Sequence, residues 1–227
     1  MDLAIPAESG QSGGETLLDY LASHPNTARF IARKLAVRFV ADDPPPTIVV
    51  RLAETFQKTG GDTRDMLRTL TSSPEFADSA GQKVKRPLEF FVSLVRVTEL
   101  QIVGNPRPLA ETLRLLGQMP YTWPSPDGFP DYAGWWLTTS GLLGRWNLAM
   151  RVTTGALPGV RVSYRRLLAD AGSPADMVDL LSLQFLGETL PDHARDLLIS
   201  FASDGDLREN IPALAGLILG GPQFQVR

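Results

Sequence analysis

Apolar residues recur at spacings of three and four over nearly the whole chain, while period-two alternation is almost absent. That repeat matches the helical turn and collects the apolar side chains on one face of each segment. "HPNTARFIARKLAVRFV" shows it plainly: Ala28, Ile31, Ala32, Leu35 and Phe39 share a face, with Arg29, Arg33, Lys34 and Arg38 mostly on the other side. Pro25 stands near the first helical position, where a missing N–H costs nothing, and "ADDPPP" ends the pattern. The next predicted helix, "TIVVRLAETFQKTG", turns Val49, Leu52, Ala53 and Phe56 inward and stops at Gly60-Gly61. Asp62 then caps "DTRDMLRTLTSS", with Asp65 completing an imperfect capping box. "KVKRPLEFFVSLVRVTEL" follows, apolar on Leu88, Phe91, Leu94, Val95 and Thr98. Helices are also predicted over "GETLLDYLASH", "RPLAETLRLLGQM", "SGLLGRWNLAMRVTTG", "SYRRLLADAG", "SPADMVDLLSLQFLG", "LPDHARDLLISFAS" and "LRENIPALAGLILGG". Only "GVRVSY" looks briefly strand-like. The fold class read from this pattern is all-α, an irregular globular bundle of roughly ten helices.

One segment breaks the pattern. "WPSPDGFPDYAGWW", extended to Trp146, holds all four tryptophans of the chain and is too rich in proline and glycine for a helix. Two readings fit it. Flat indoles on an irregular loop could stack on a sugar or another apolar ligand, with Asp127, Asp131 and Asn147 supplying hydrogen bonds. Alternatively, Tyr121, Trp123, Phe129, Tyr132, Trp135 and Trp136 pin a connector onto the helices. Each large ring buries about 150–250 Å², enough to offset the ordering of several loop residues. The second reading is preferred. It divides the chain into a flexible lead-in (1–14), an N-terminal helical group (15–118), a Trp/Pro-rich connector (119–139) and a C-terminal helical group (140–227), packed together as one domain. Pro126, Asp127 and Gly128 read as a turn rather than a calcium loop.

Composition removes several classes of function. A net charge of −3 over 227 residues offers no global basic field for nucleic acid. Cysteine is absent, which excludes disulfides, thiolate metal sites and cysteine nucleophiles. No apolar run approaches the roughly 20 residues that span a bilayer. The N-terminus lacks the basic start and apolar core of a signal peptide. GxSxG, P-loop and GxGxxG motifs are missing, and no carboxylate joins His24 or His193 at metal-ligand spacing. No metal or cofactor is therefore expected.

The basic residues divide in the same way. Arg29, Arg33, Lys34 and Arg38 share one helix, while Lys83, Lys85 and Arg86 crowd the start of another. Cations oppose the macrodipole at a helix start, so an anion such as phosphate, sulfate or a polymer carboxylate could bind there. The plainer reading, solvated surface and ion pairs with Asp42, Asp43, Glu54 and Asp65, is preferred. The candidate ligand-binding set is Lys85, Arg86, Trp123, Asp127, Arg145 and Asn147, with no catalytic residue assigned.

"LRTLTSSPEF" and "AGLILGGPQF" echo each other: a helix stop, proline, then a phenylalanine folding back on the core. These blocks, with "HPNTARFIARKLAVRFVADDPPP", "KVKRPLEFFVSLVR", "LGQMPYTWPSPDGFPDYAGWWLTTSGLLGRWNLA" and the terminal "GPQFQVR", resemble the C-terminal half of a bacterial family, domain of unknown function 1800. Its W-P-x-P-D-G signature is matched by Trp123, Pro124, Pro126, Asp127 and Gly128, and "LLGRWN" by Arg145 and Asn147. The resemblance implies a mostly helical fold, a bacterial origin and a longer protein with a further N-terminal helical half. It implies export rather than a cytoplasmic place, and a co-encoded sulfatase-like protein as a possible partner beside that missing half. It implies no activity or catalytic residue. The function expected is a non-catalytic helical module binding a partner protein or an envelope polymer. The rival is a hydrolase-like enzyme acting on an envelope or extracellular polymer, with its site near the Trp-rich connector.

Overall fold

A computed structural model describes residues 3–164 and 172–227. It divides the chain into two compact units, residues 1–83 and 84–227, so the tryptophan segment lies wholly inside the second.

The first unit contains α1 (Gly10–Ser23), α2 (Pro25–Phe39), α3 (Pro46–Thr59), α4 (Thr63–Thr71) and α5 (Pro74–Ala77). α1 begins within the stretch read as a lead-in. Local bonds replace its missing apolar start: Ser12 Oγ donates to Ser9 O, and Gln11 Nε2 to Glu15 Oε1. His24 caps α2, its Nδ1 accepting from Asn26 N at 3.1 Å. Along α2 the fully buried stripe is Ala28, Ala32 and Ala36 rather than the larger residues, and Phe39 is exposed. Three small side chains in register let α2 lie close to α3, whose Ile48 and Leu52 fill the space with Met66 and Leu70. Gly60 ends α3 in the left-handed conformation, φ 65°, that favours glycine. Asp62 caps α4 through Asp65 N at 3.0 Å. In α5, Glu75 is held by Thr47 Oγ1 at 2.7 Å and Arg51 Nη1 at 3.0 Å, and the Thr47 hydrogen bond leads in holding its carboxyl below the usual range. Arg33 pairs with Asp43 as expected, whereas Glu54 and Asp65 pair with Lys58 and Arg68 of their own helices rather than with the basic cluster. Lys83 differs, because its ammonium is buried against Asp42.

The second unit contains α6 (Pro87–Val97), β1 (Gln101–Ile102), α7 (Arg107–Leu115), α8 (Ala133–Trp136), α9 (Thr139–Thr153), β2 (Val160–Arg161), α10 (Pro174–Leu186), α11 (Asp192–Ser203), α12 (Leu207–Gly220) and α13 (Pro222–Gln225). The helix expected over "SYRRLLADAG" falls almost entirely outside the described residues. β1 and β2 form one short antiparallel pair, Gln101 opposite Arg161 and Ile102 opposite Val160. β2 is the strand-like "GVRVSY"; β1 is too short for its sequence to announce it. The fold is all-α, with thirteen helical segments among the described residues, three of them only four residues long.

α9 and α12 are the centre of this unit. They approach most closely at Gly216, where a Cβ would meet Met150 Sδ and, at 2.8 Å, Thr153 Oγ1. Leu148, Val152, Leu181, Leu214, Leu219 and Phe224 pack around them with Phe90 and Leu94 of α6. The buried face of α6 is centred on Phe90, Leu94 and Thr98, one residue from the predicted stripe. Leu88, Phe91 and Val95 are half-buried beside it. Phe224 sets that rotation, because its ring meets Phe90 edge-on at 5.5 Å. The repeated stop-proline-phenylalanine motif thus works in both units, Phe76 packing on the first core and Phe224 entering the second.

Candidate functional site

Every residue described below belongs to the second unit. The segment from Met119 to Leu137 is held by its own aromatic rings. Trp123 lies 5.0 Å from Phe129 and 5.9 Å from Trp135, and Phe129 lies 6.1 Å from Trp136. Trp136 Nε1 donates to Pro130 O at 2.9 Å and Trp123 Nε1 to Asp127 Oδ1 at 3.1 Å. Ser125 O accepts from Gly128 N, and Gly128 has φ 77°, so the proline-aspartate-glycine stretch is a turn. Trp136 is 6% exposed, whereas Trp135 and Trp146 are 47% and 52% exposed. The loop is pinned through one indole and shows others to water.

Beside it runs a groove of about 750 Å³ between α9 and the C-terminal helices. Leu142, Leu143, Trp146 and Met150 form one side, with Leu217 and Val226 opposite. Trp146 can lie along the groove because α12 presents Gly220 beneath it, where a Cβ would stand 3.2 Å from the indole Cδ1. Polar side chains are sparse: Asn147 and Gln225 contribute to the lining.

The C-terminal segment closes one end of the groove and is latched to the start of α6. Val84 and Val226 form an antiparallel bridge, and Lys85 N donates to Gln225 O at 2.8 Å. Gln225 Oε1 accepts from Arg145 Nη1 at 3.0 Å, and its Nε2 donates to Gly220 O. Arg227 Nε lies 3.7 Å from Glu89. Glu89 also accepts from Arg86 N at 2.9 Å, so the first turn of α6 carries an anion that offsets its cationic approach. Arg145 is fully buried, its guanidinium 5.5 Å from the Phe90 ring, and Lys85 Nζ lies 3.8 Å from the Phe224 ring. Burial pulls the Lys85 ammonium down to about 8; Glu89 opposes the shift, and the charges of Arg145 and Arg227 add to it. Burial likewise pulls Arg145 below its ordinary value, again with Glu89 opposing.

Of the candidate residues, Lys85, Arg86 and Arg145 gather around Glu89 and Gln225. Trp123 and Asp127 bond each other within the loop, and it is Asp131 that reaches Arg86, at 3.8 Å. Asn147 lines the groove. Sequence reasoning missed Glu89, Gln225 and Phe90, while Phe224 was expected as a core plug but not as part of this cluster. The three-residue spacing of Arg86 and Glu89 as N-cap and N3, and the repeated "PEF"/"PQF" endings, were the available signals. Among the described residues, no three His, Cys, Asp or Glu side chains gather as a metal site, and no helix is long and apolar enough to cross a membrane.

No curated protein and no solved structure matches the chain significantly. The family model described as "Protein of unknown function (DUF1800)" matches residues 1–226, essentially the whole chain, and with the helical fold in hand the chain belongs to that family.

Proposed function

We propose that this chain is a binding module whose groove between α9 and α12 receives an apolar segment of a partner protein. The observation that carries this reading is the groove itself. Its volume of about 750 Å³ falls in the range of sites that take ligand-sized apolar groups. Leu137, Leu143, Trp146 and Leu217 each leave two-fifths or more of their surface open along it. Contiguous exposure of that kind marks interaction surfaces, and a half-open tryptophan is the residue type most enriched at binding hot spots. Sugars are a poorer fit, because ring hydroxyls need a dense set of hydrogen-bonding groups and this lining is almost wholly aliphatic.

The first partners to test are those that the family resemblance implies: an N-terminal helical half of longer relatives and a co-encoded sulfatase-like protein. Co-expression followed by size-exclusion chromatography is the direct experiment. Wild-type chain should co-elute with its partner, and Leu143→Asp with Leu217→Asp should abolish co-elution while leaving the circular dichroism spectrum unchanged. Undiminished co-elution of the double variant would remove the groove from the reading.

A further inference from the structure

The first unit shows water a surface that its own packing does not explain. α1 is 14 residues long, yet Gly13 is its one buried residue. Leu17 and Leu21 lie one turn apart with Leu18 beside them, and Leu18 and Leu21 are 66% and 42% exposed. A helix of that length is marginal in water without an apolar face to bury, so the leucine side of α1 calls for a cover. Of its carboxylates, Glu15 accepts from Gln11, and Asp19, two residues from both Leu17 and Leu21, falls on the opposite side.

α2 presents the other half of the surface. Its buried stripe of Ala28, Ala32 and Ala36 leaves Arg29, Phe30, Arg33 and Lys34 outside, where helical spacing puts them side by side. Phe30 is 60% exposed, with Lys34 Nζ 5.4 Å from its ring. α2 has no acidic residue. Arg29 and Lys34 have no ion pair among the described residues, and Arg33 meets the exposed Asp43 at 3.4 Å, a contact that salt screens. The two halves adjoin. Thr27 Oγ1 donates to Leu21 O at 2.7 Å, and Thr27, Phe30 and Lys34 fall on one side of α2. The apolar end of α1 therefore leads onto Phe30 and its cations.

We propose that this surface docks on an anionic lipid bilayer, with Leu18, Leu21 and Phe30 entering the headgroup layer and Arg29, Arg33 and Lys34 meeting the phosphates. Apolar side chains flanked by arginine and lysine are the composition of interfacial helices. A cover for these residues must be apolar against α1 and anionic against α2, and a bilayer surface is both. Neither the groove of about 750 Å³ nor a cavity of about 410 Å³ on α3 is lined by any of these residues. The surface is the outside of two helices, which a fluid leaflet moulds to and a protein partner would have to match with a socket of its own. No helix among the described residues is long and apolar enough to cross the bilayer, so the contact made by this surface is peripheral. It uses no residue of the groove and is independent of the reading above.

The experiment is flotation of the whole chain with vesicles of phosphatidylcholine containing phosphatidylglycerol, and of phosphatidylcholine alone, in low and high salt. Wild type should float with the anionic vesicles, stay behind with the neutral ones and lose its partition as salt screens the cations. Each cation near an anionic surface strengthens binding by about fivefold, so Arg29→Glu with Lys34→Glu should lower the partition coefficient by about twenty-fivefold or more. Phe30→Ser should also lower it, with the salt dependence unchanged, because it removes apolar area and no charge. Arg29→Lys with Lys34→Arg should bind as wild type does. The groove variant, Leu143→Asp with Leu217→Asp, should do the same, so the two proposals fail separately. Wild type that does not float with anionic vesicles overturns the proposal, as does an undiminished partition in either weakened variant or a loss in the groove variant. Binding of poly-glutamate or duplex DNA without vesicle binding would give the surface to an acidic protein or a nucleic acid, and overturns it equally.

Discussion

Trp136 shows how one side chain can decide the state of a loop. Its neighbours Trp135 and Trp146 stand half in water, while its own indole is enclosed and its N–H is satisfied by Pro130 O. Trp136→Ala should destabilise the second unit by about 3–5 kcal/mol, and Trp135→Ala markedly less, as measured by urea unfolding. Equal costs would mean that the loop is not pinned where the structure pins it. Lys85 makes a prediction of opposite character. Its ammonium titrates at about 8 in the folded chain against 10.5 ordinarily, so between those values the unfolded chain holds more protons. Stability therefore rises with pH through that window: the penalty is full below about 8 and relieved above 10.5. Glu89 faces Lys85 and opposes the shift, while the charges of Arg145 and Arg227 add to it. Tyr164, pushed up by burial, stays neutral. Wild type should gain on Lys85→Met between pH 7.5 and 10, read as a change in urea midpoint. A constant gap between the two proteins would contradict the unfavourable setting assigned to the ammonium.

At the scale of elements, the α9–α12 contact is set by glycine. Gly216→Ala would place a methyl against Met150 and Thr153, two side chains on a buried helix face. Overpacking of that kind costs about 1–3 kcal/mol, more than the roughly 0.5–1 kcal/mol that alanine contributes in a helix interior. The variant should lose stability. Gly220→Ala meets only the Trp146 ring, which is half exposed and free to move. Its stability should hardly change, while tryptophan emission shifts. The reverse order of effects would place the helix crossing elsewhere along α12. Much at this scale was legible beforehand. His24, Gly60 and Asp62 are caps in the sequence and caps in the structure, because a cap depends on neighbours two or three residues away. The buried alanine stripe of α2 was not legible, since which face goes inward depends on what α3 brings to it.

At the scale of the molecule, each unit has its own hydrophobic core, and all four tryptophans belong to the second. Tryptophan fluorescence therefore follows the second unit, while far-UV circular dichroism follows both. Leu52→Ala, in the first core, should cost about 2–5 kcal/mol and broaden or split the dichroism transition without moving the fluorescence midpoint. Fluorescence that moves in step would mean that the two cores unfold as one. By itself the sequence determined the helical class, most helix ends, the proline-aspartate-glycine turn and the two phenylalanine plugs, all of which follow from periodicity and contacts close along the chain. Only the tertiary structure decided the groove and the cation cluster. Lys85, Arg145 and Gln225 are separated by sixty and eighty residues, and no local pattern records that a fold will bring the Lys85 backbone amide and the Arg145 guanidinium to one glutamine and leave that guanidinium buried with open donors.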